Sequence, residues 1–139
     1  KVAERTGCFL GTISVGYSES KGNALMNSIL IKKGESIPCE VSESYYTMHD
    51  GQVGIDCTIT ESKSPETDPR FVKIIHEESL ELPPGRPSGQ EIIVSYSYDE
   101  NQIIHASFKD VESGNEKKIS ISMDSQHETS SDIDKFLVD

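Results

Sequence analysis

Residues 37–60 read IPCEVSESYYTMHDGQVGIDCTIT. In the second half, Val53, Ile55, Cys57 and Ile59 alternate with Gly54, Asp56, Thr58 and Thr60. A period of two, with one apolar and one wet face, is the pattern of a half-buried strand. The first half ends on Tyr45-Tyr46. Neighbours on a strand point to opposite faces, so one ring of the pair must meet a core or a partner surface. Between the halves, His49-Asp50-Gly51 holds an Asp-Gly pair, a strong short-range signal for a hairpin. The stretch is therefore expected to form a two-stranded hairpin.

More strands follow in both directions. Toward the N-terminus, Cys8–Tyr17 and Leu25–Lys33 read as strands around a turn-rich loop, Ser18–Asn23. Residues 61–70, ESKSPETDPR, form an exposed loop, and Phe71–Leu82 is an irregular strand or strand pair. Pro83-Pro84-Gly85-Arg86-Pro87 breaks that pattern. Beyond it, Ile92, Val94, Tyr96 and Tyr98 share one face, then Ile104, Ala106 and Phe108, then Ile119 and Ile121. About eight short strands at this spacing predict an all-β fold, a two-layer antiparallel β-sandwich. Residues 1–8 read as a linker or tail, 9–123 as the sandwich and 124–139 as a tail. In that tail Ile133, Phe136 and Leu137 fall at helical spacing after Ser131-Asp132, which fits either a short helical stub or a frayed end.

Composition excludes several classes. The 139 residues carry a net charge of −11, which repels phosphate backbones, so nucleic acid is not an expected partner. No apolar run approaches the roughly 20 residues of a membrane span, and no membrane partner is expected. Cys8, Cys39 and Cys57 have no metal-type spacing, and an odd number of thiols fits a reducing, cytoplasmic location. His49, His76, His105 and His127 lie in four separate elements. With no Gly-x-Ser-x-Gly elbow and no phosphate-cradling loop, neither catalysis nor a cofactor is expected in this segment.

Leu10–Gly16 (LGTISVG), Ile31–Pro38 (IKKGESIP), the Pro-Pro-Gly-Arg element, Tyr98–Asp110 (YDENQIIHASFKD) and Ser113–Ile121 (SGNEKKISI) occur in an order and spacing that resemble the peptide-binding β-sandwich of heat-shock 70 (DnaK-type) chaperones. The resemblance covers roughly residues 9 to 122. It implies a holder of extended hydrophobic segments of unfolded polypeptides, controlled by ATP on a separate nucleotide-binding domain and served by J-domain co-chaperones. It implies no enzyme activity in this segment. Carried over by position, Ile55 becomes the floor of an apolar pocket, with Tyr17, Tyr45, Cys57 and Ile92 as walls. Met48 and Ala24 become the two halves of an arch over the peptide. Tyr17 and Cys57 stand where the family usually has aliphatic residues. The acidic surface implies peptides with basic flanks. The alternative expectation is a β-sandwich docking module that has lost general peptide binding.

Overall fold

The structure is a computed structural model and describes residues 5–18 and 22–122. Eight strands are present: β1 (Phe9–Ser18), β2 (Gly22–Ile31), β3 (Cys39–Tyr46), β4 (Gly54–Ser62), β5 (Lys73–Glu81), β6 (Glu91–Tyr98), β7 (Ile103–Asp110) and β8 (Glu116–Ser122). They form two antiparallel four-stranded sheets, ordered β2-β1-β4-β5 and β3-β6-β7-β8. This is the expected two-layer sandwich. The proposed helical stub lies outside the described residues.

Alternation builds the core. Along β6, Ile92, Val94, Tyr96 and Tyr98 are buried while Ile93, Ser95 and Ser97 are half-exposed. In β7, Ile104, Ala106, Phe108 and Asp110 point inward in register with them. From the other sheet come Leu10, Ile31, Cys57, Ile59 and Leu80. The Tyr96 and Phe108 rings meet edge-on at 6.3 Å between centroids, a favoured aromatic geometry.

Two expectations change. β3 and β4 do not pair with one another: β3 joins β6 in the second sheet and β4 joins β5 in the first. The stretch 37–60 is thus an arch that passes from one layer to the other rather than a flat hairpin. Its connection, Thr47–Val53, is too long for a two-residue hairpin turn. It also hydrogen-bonds elsewhere, Gly51 N–H donating to Arg86 C=O at 2.6 Å and Leu82 N–H to Val53 C=O at 2.9 Å. Val53, expected on the apolar face, precedes β4 and is 61% exposed. Second, part of the expected N-terminal tail is fastened to the sandwich. Thr6 is buried, its N–H donates to Glu35 C=O, and its carbonyl accepts from Gly34 N–H. Cys8 is also buried.

Candidate functional site

β1 pairs with β2 over nearly all its length, from Leu10 opposite Ile31 to Ser18 opposite Gly22. Its pairing with β4 covers only Phe9–Gly11 against Ser62–Thr60. Beyond that point the two strands part. Side chains take over from the ladder there: Ile13 N–H donates to Thr58 Oγ1 at 2.9 Å, and the Thr12 and Thr58 hydroxyls meet at 3.2 Å. From the other sheet, the Tyr96 hydroxyl reaches Gly11 C=O at 2.7 Å and Thr58 C=O at 3.0 Å. The fork between the strands is thereby fixed by one tyrosine and two threonines.

The fork opens into a cavity of about 610 Å³. Ile55, Ile92, Val94 and Phe108 form its inner apolar side, Tyr45 and Met48 stand on the β3 side, and Val15, Leu25 and Ile74 lie toward solvent. Tyr45 crosses between the layers, its hydroxyl 2.8 Å from the Ser28 hydroxyl on β2. Burial raises its pKa above the ordinary phenol value, although the Ser28 contact works the other way. Met48 is 44% exposed on the rim. Its N–H and that of His49 donate to Gln52 Oε1, while Gln52 Nε2 donates to Gly54 C=O. One amide side chain therefore ties both feet of the arch. The charged residues on the cavity wall are Asp56 and Glu77, with no cation among its lining residues.

Of the positions named from the sequence, Tyr45, Met48, Ile55 and Ile92 are gathered around this one cavity. Cys57 is not on its wall. It is fully buried in the core between Ile55 and Ile59, and burial pushes its thiol up to about 12. The physical reason is the strand period: the residue two beyond Ile55 shares its face but lies deeper between the sheets. Ala24 faces Gly16 across the β1–β2 ladder, away from the cavity wall. The backbone of Tyr17 pairs with Asn23 in the same ladder. Sequence reasoning missed Gln52, Val15, Leu25 and Ile74. An apolar cross-strand pair beside a loop, Val15 opposite Leu25, was the available signal for two of them.

The thiols and acids are arranged for stability. Cys8, Cys39 and Cys57 are free, and burial raises the pKa of all three. Asp110 is fully buried and forked by Arg86, with Nη1–Oδ2 3.0 Å and Nη2–Oδ1 3.2 Å. Burial works to raise its carboxyl, but hydrogen bonds from Ser113 and Arg86 outweigh this and hold it below the ordinary value. Among the described residues, no group of three His, Cys, Asp or Glu is placed to hold a metal ion, and no helix is long and apolar enough to cross a membrane.

Fold and cleft together define an antiparallel β-sandwich with an apolar slot where two strands of one sheet separate. The chain belongs to the Hsp70 family, whose family model, described as Hsp70 protein, matches residues 12–139. It is similar to the chaperone protein DnaK of Anaplasma marginale (strain St. Maries), 32% identical over 93 residues. That match covers 66% of this chain but only 14% of the relative, so the chain spans a small part of the length of that chaperone.

Proposed function

We propose that this segment is the substrate-binding β-sandwich of an Hsp70-type chaperone and holds extended hydrophobic segments of unfolded polypeptides in the slot between β1 and β4. The observation that carries the reading is the fork. β1 from Ser14 onward and β4 from Gly54 to Asp56 each have a strand partner on one side only, and an apolar cavity lies between them. An extended chain entering there finds backbone partners of the kind strand addition uses, with Ile55 and Ile92 below it for one side chain. Burying a Leu-sized side chain stabilises by roughly 1.5–3 kcal/mol, while association entropy offsets part of the total. The affinity expected is therefore around micromolar and weakly selective.

Asp56 and Glu77 at the slot favour lysine or arginine beside the apolar anchor. Membership of the Hsp70 family supports ATP control by a nucleotide-binding domain outside this segment, with J-domain co-chaperones acting there. The three protonated free thiols fit a cytoplasmic setting.

Fluorescence anisotropy with a short labelled Leu-centred peptide tests this. Lys-flanked peptide should bind more tightly than Glu-flanked peptide, and the difference should shrink with added salt. Absence of binding at hundreds of micromolar would overturn the reading and leave a docking module in its place.

A further inference from the structure

The arch Thr47–Val53, which carries Met48 on the cleft rim, is held in place mainly by the segment Leu82–Gln90. Gly51 N–H donates to Arg86 C=O at 2.6 Å, Gly89 N–H to Thr47 C=O at 2.8 Å, and Thr47 N–H to Gln90 C=O at 3.0 Å. Ser88 N–H donates to Asp50 Oδ1 at 2.8 Å, and Gln90 N–H to Thr47 Oγ1 at 2.9 Å. The arch is therefore only as fixed as this segment.

Within itself the segment ties its middle by the Gln90 Nε2 bond to Pro87 C=O at 3.1 Å, and its backbone adds little more. Pro83, Pro84 and Pro87 have no N–H to donate, and Gly85 adds backbone freedom at φ +77°. What anchors the middle is the Arg86 side chain. Its guanidinium forks onto the fully buried Asp110 and also donates to Glu112 at 2.9 Å. Asp110 is held in turn by Ser113, whose Oγ donates to Oδ2 at 2.5 Å, and its N–H donates to Asn115 C=O at 2.8 Å. A planar fork on a carboxylate sets direction as well as distance, which an ammonium cannot do. Among the described residues Arg86 Nε is buried without a partner, and the Nη contacts orient the group.

We propose that Arg86 and Asp110 are positioning residues for the cleft, setting the rate at which the rim opens and a bound peptide leaves. Neither side chain lines the cavity. Their effect travels through the backbone, directly from Arg86 C=O to Gly51 at the crown of the arch and onward through Ser88, Gly89 and Gln90 to Asp50 and Thr47. The inference rests on the peptide-binding reading above.

The test uses the full chain, with release of a labelled Leu-centred peptide followed by stopped-flow displacement. Global stability is measured by urea unfolding, and hydrogen exchange is followed at Gly51 and Gly89. Arg86→Gln should speed release roughly ten-fold and deprotect both amides, with a smaller change in association rate. Arg86→Lys should fall between it and the wild type, and carries the test on its own if Arg86→Gln does not fold. Ile119→Val, a core change in β8, which pairs with β7 and not with the arch, should lower stability and leave release within about two-fold of wild type. Release from both Arg86 variants within about two-fold of wild type would overturn the inference, as would equal acceleration by Ile119→Val. Failure of the wild type to bind peptide at all would instead strike the peptide-binding reading.

Discussion

Replacing Tyr96 with phenylalanine removes one oxygen from the point where β1 and β4 separate. That hydroxyl is fully buried and faces two carbonyls, Gly11 C=O at 2.7 Å and Thr58 C=O at 3.0 Å. Burial keeps it protonated, raising its pKa far above the ordinary phenol value, so it serves as a donor at any working pH. A phenol has one proton, which the nearer carbonyl takes chiefly and the other shares. Tyr96→Phe leaves both oxygens without that donor inside the core. A buried polar group stripped of its partner costs roughly 1–3 kcal/mol, and the void left by one oxygen adds little. We expect about 2 kcal/mol of destabilisation, and a fall in Tm of roughly 5–10 °C for a domain of this size. Urea unfolding followed by far-ultraviolet circular dichroism should show a lower midpoint with an unchanged m-value, because the surface exposed on unfolding is the same. A loss below about 0.5 kcal/mol would refute the reasoning. It would mean that the Thr12–Thr58 contact holds the fork without the tyrosine.

Ile55→Phe should fill the inner side of the cavity and weaken binding of a Leu-centred peptide roughly ten- to hundred-fold. Unfolding should stay cooperative, and wild-type affinity in this variant would place the pocket elsewhere. In a thiol-labelling assay at neutral pH, half-buried Cys39 should react before Cys8 and Cys57, whose thiols burial pushes up to about 12, and urea should release all three. Equal rates in the native protein would contradict the burial described. Asp110 has a pKa held below its ordinary value of 3.8, so its contribution is fully present above that value. It should fade as pH falls through the lowered folded value, giving an acid limb in urea midpoints below about pH 4. In Asp110→Asn that limb should be shallower, and an unchanged limb would assign the acid sensitivity to other carboxylates.

The sheets were readable wherever one face is wet. Ile92, Val94, Tyr96 and Tyr98 announce their common direction because serines and a half-exposed isoleucine separate them, and β7 and β8 repeat the pattern. Which strands lie side by side was less legible. An Asp-Gly pair marks a turn, but whether that turn folds back within a sheet or crosses to another depends on its length and on outside partners. Here those partners are Arg86, Ser88, Gly89 and Gln90, far along the chain, with Ser88 38 residues beyond Asp50. The cavity residues divide in the same way. Tyr45, Met48, Ile55 and Ile92 could be named by position in a family pattern, whereas Ile74 reaches the wall through a bulged pairing of β5 with β4, between Ile59 and Thr60. Cys57 lies deeper than Ile55 and off the cavity wall, because a period of two gives a face without giving a depth. The buried Asp110 is hidden for another reason, since nothing local distinguishes it from the exposed acids around it.

The fork has a consequence for solubility. Unpaired strand edges on the outside of a sheet are templates: each added strand presents a fresh edge to the next, and growth has no end. Here two half-satisfied strands face each other across a gap inside the sheet, bounded by β2 beyond one and β5 beyond the other. A single extended segment would use up both edges at once and leave nothing for a second. Such a slot has a capacity of one, so a segment added there would not become a nucleus for further growth.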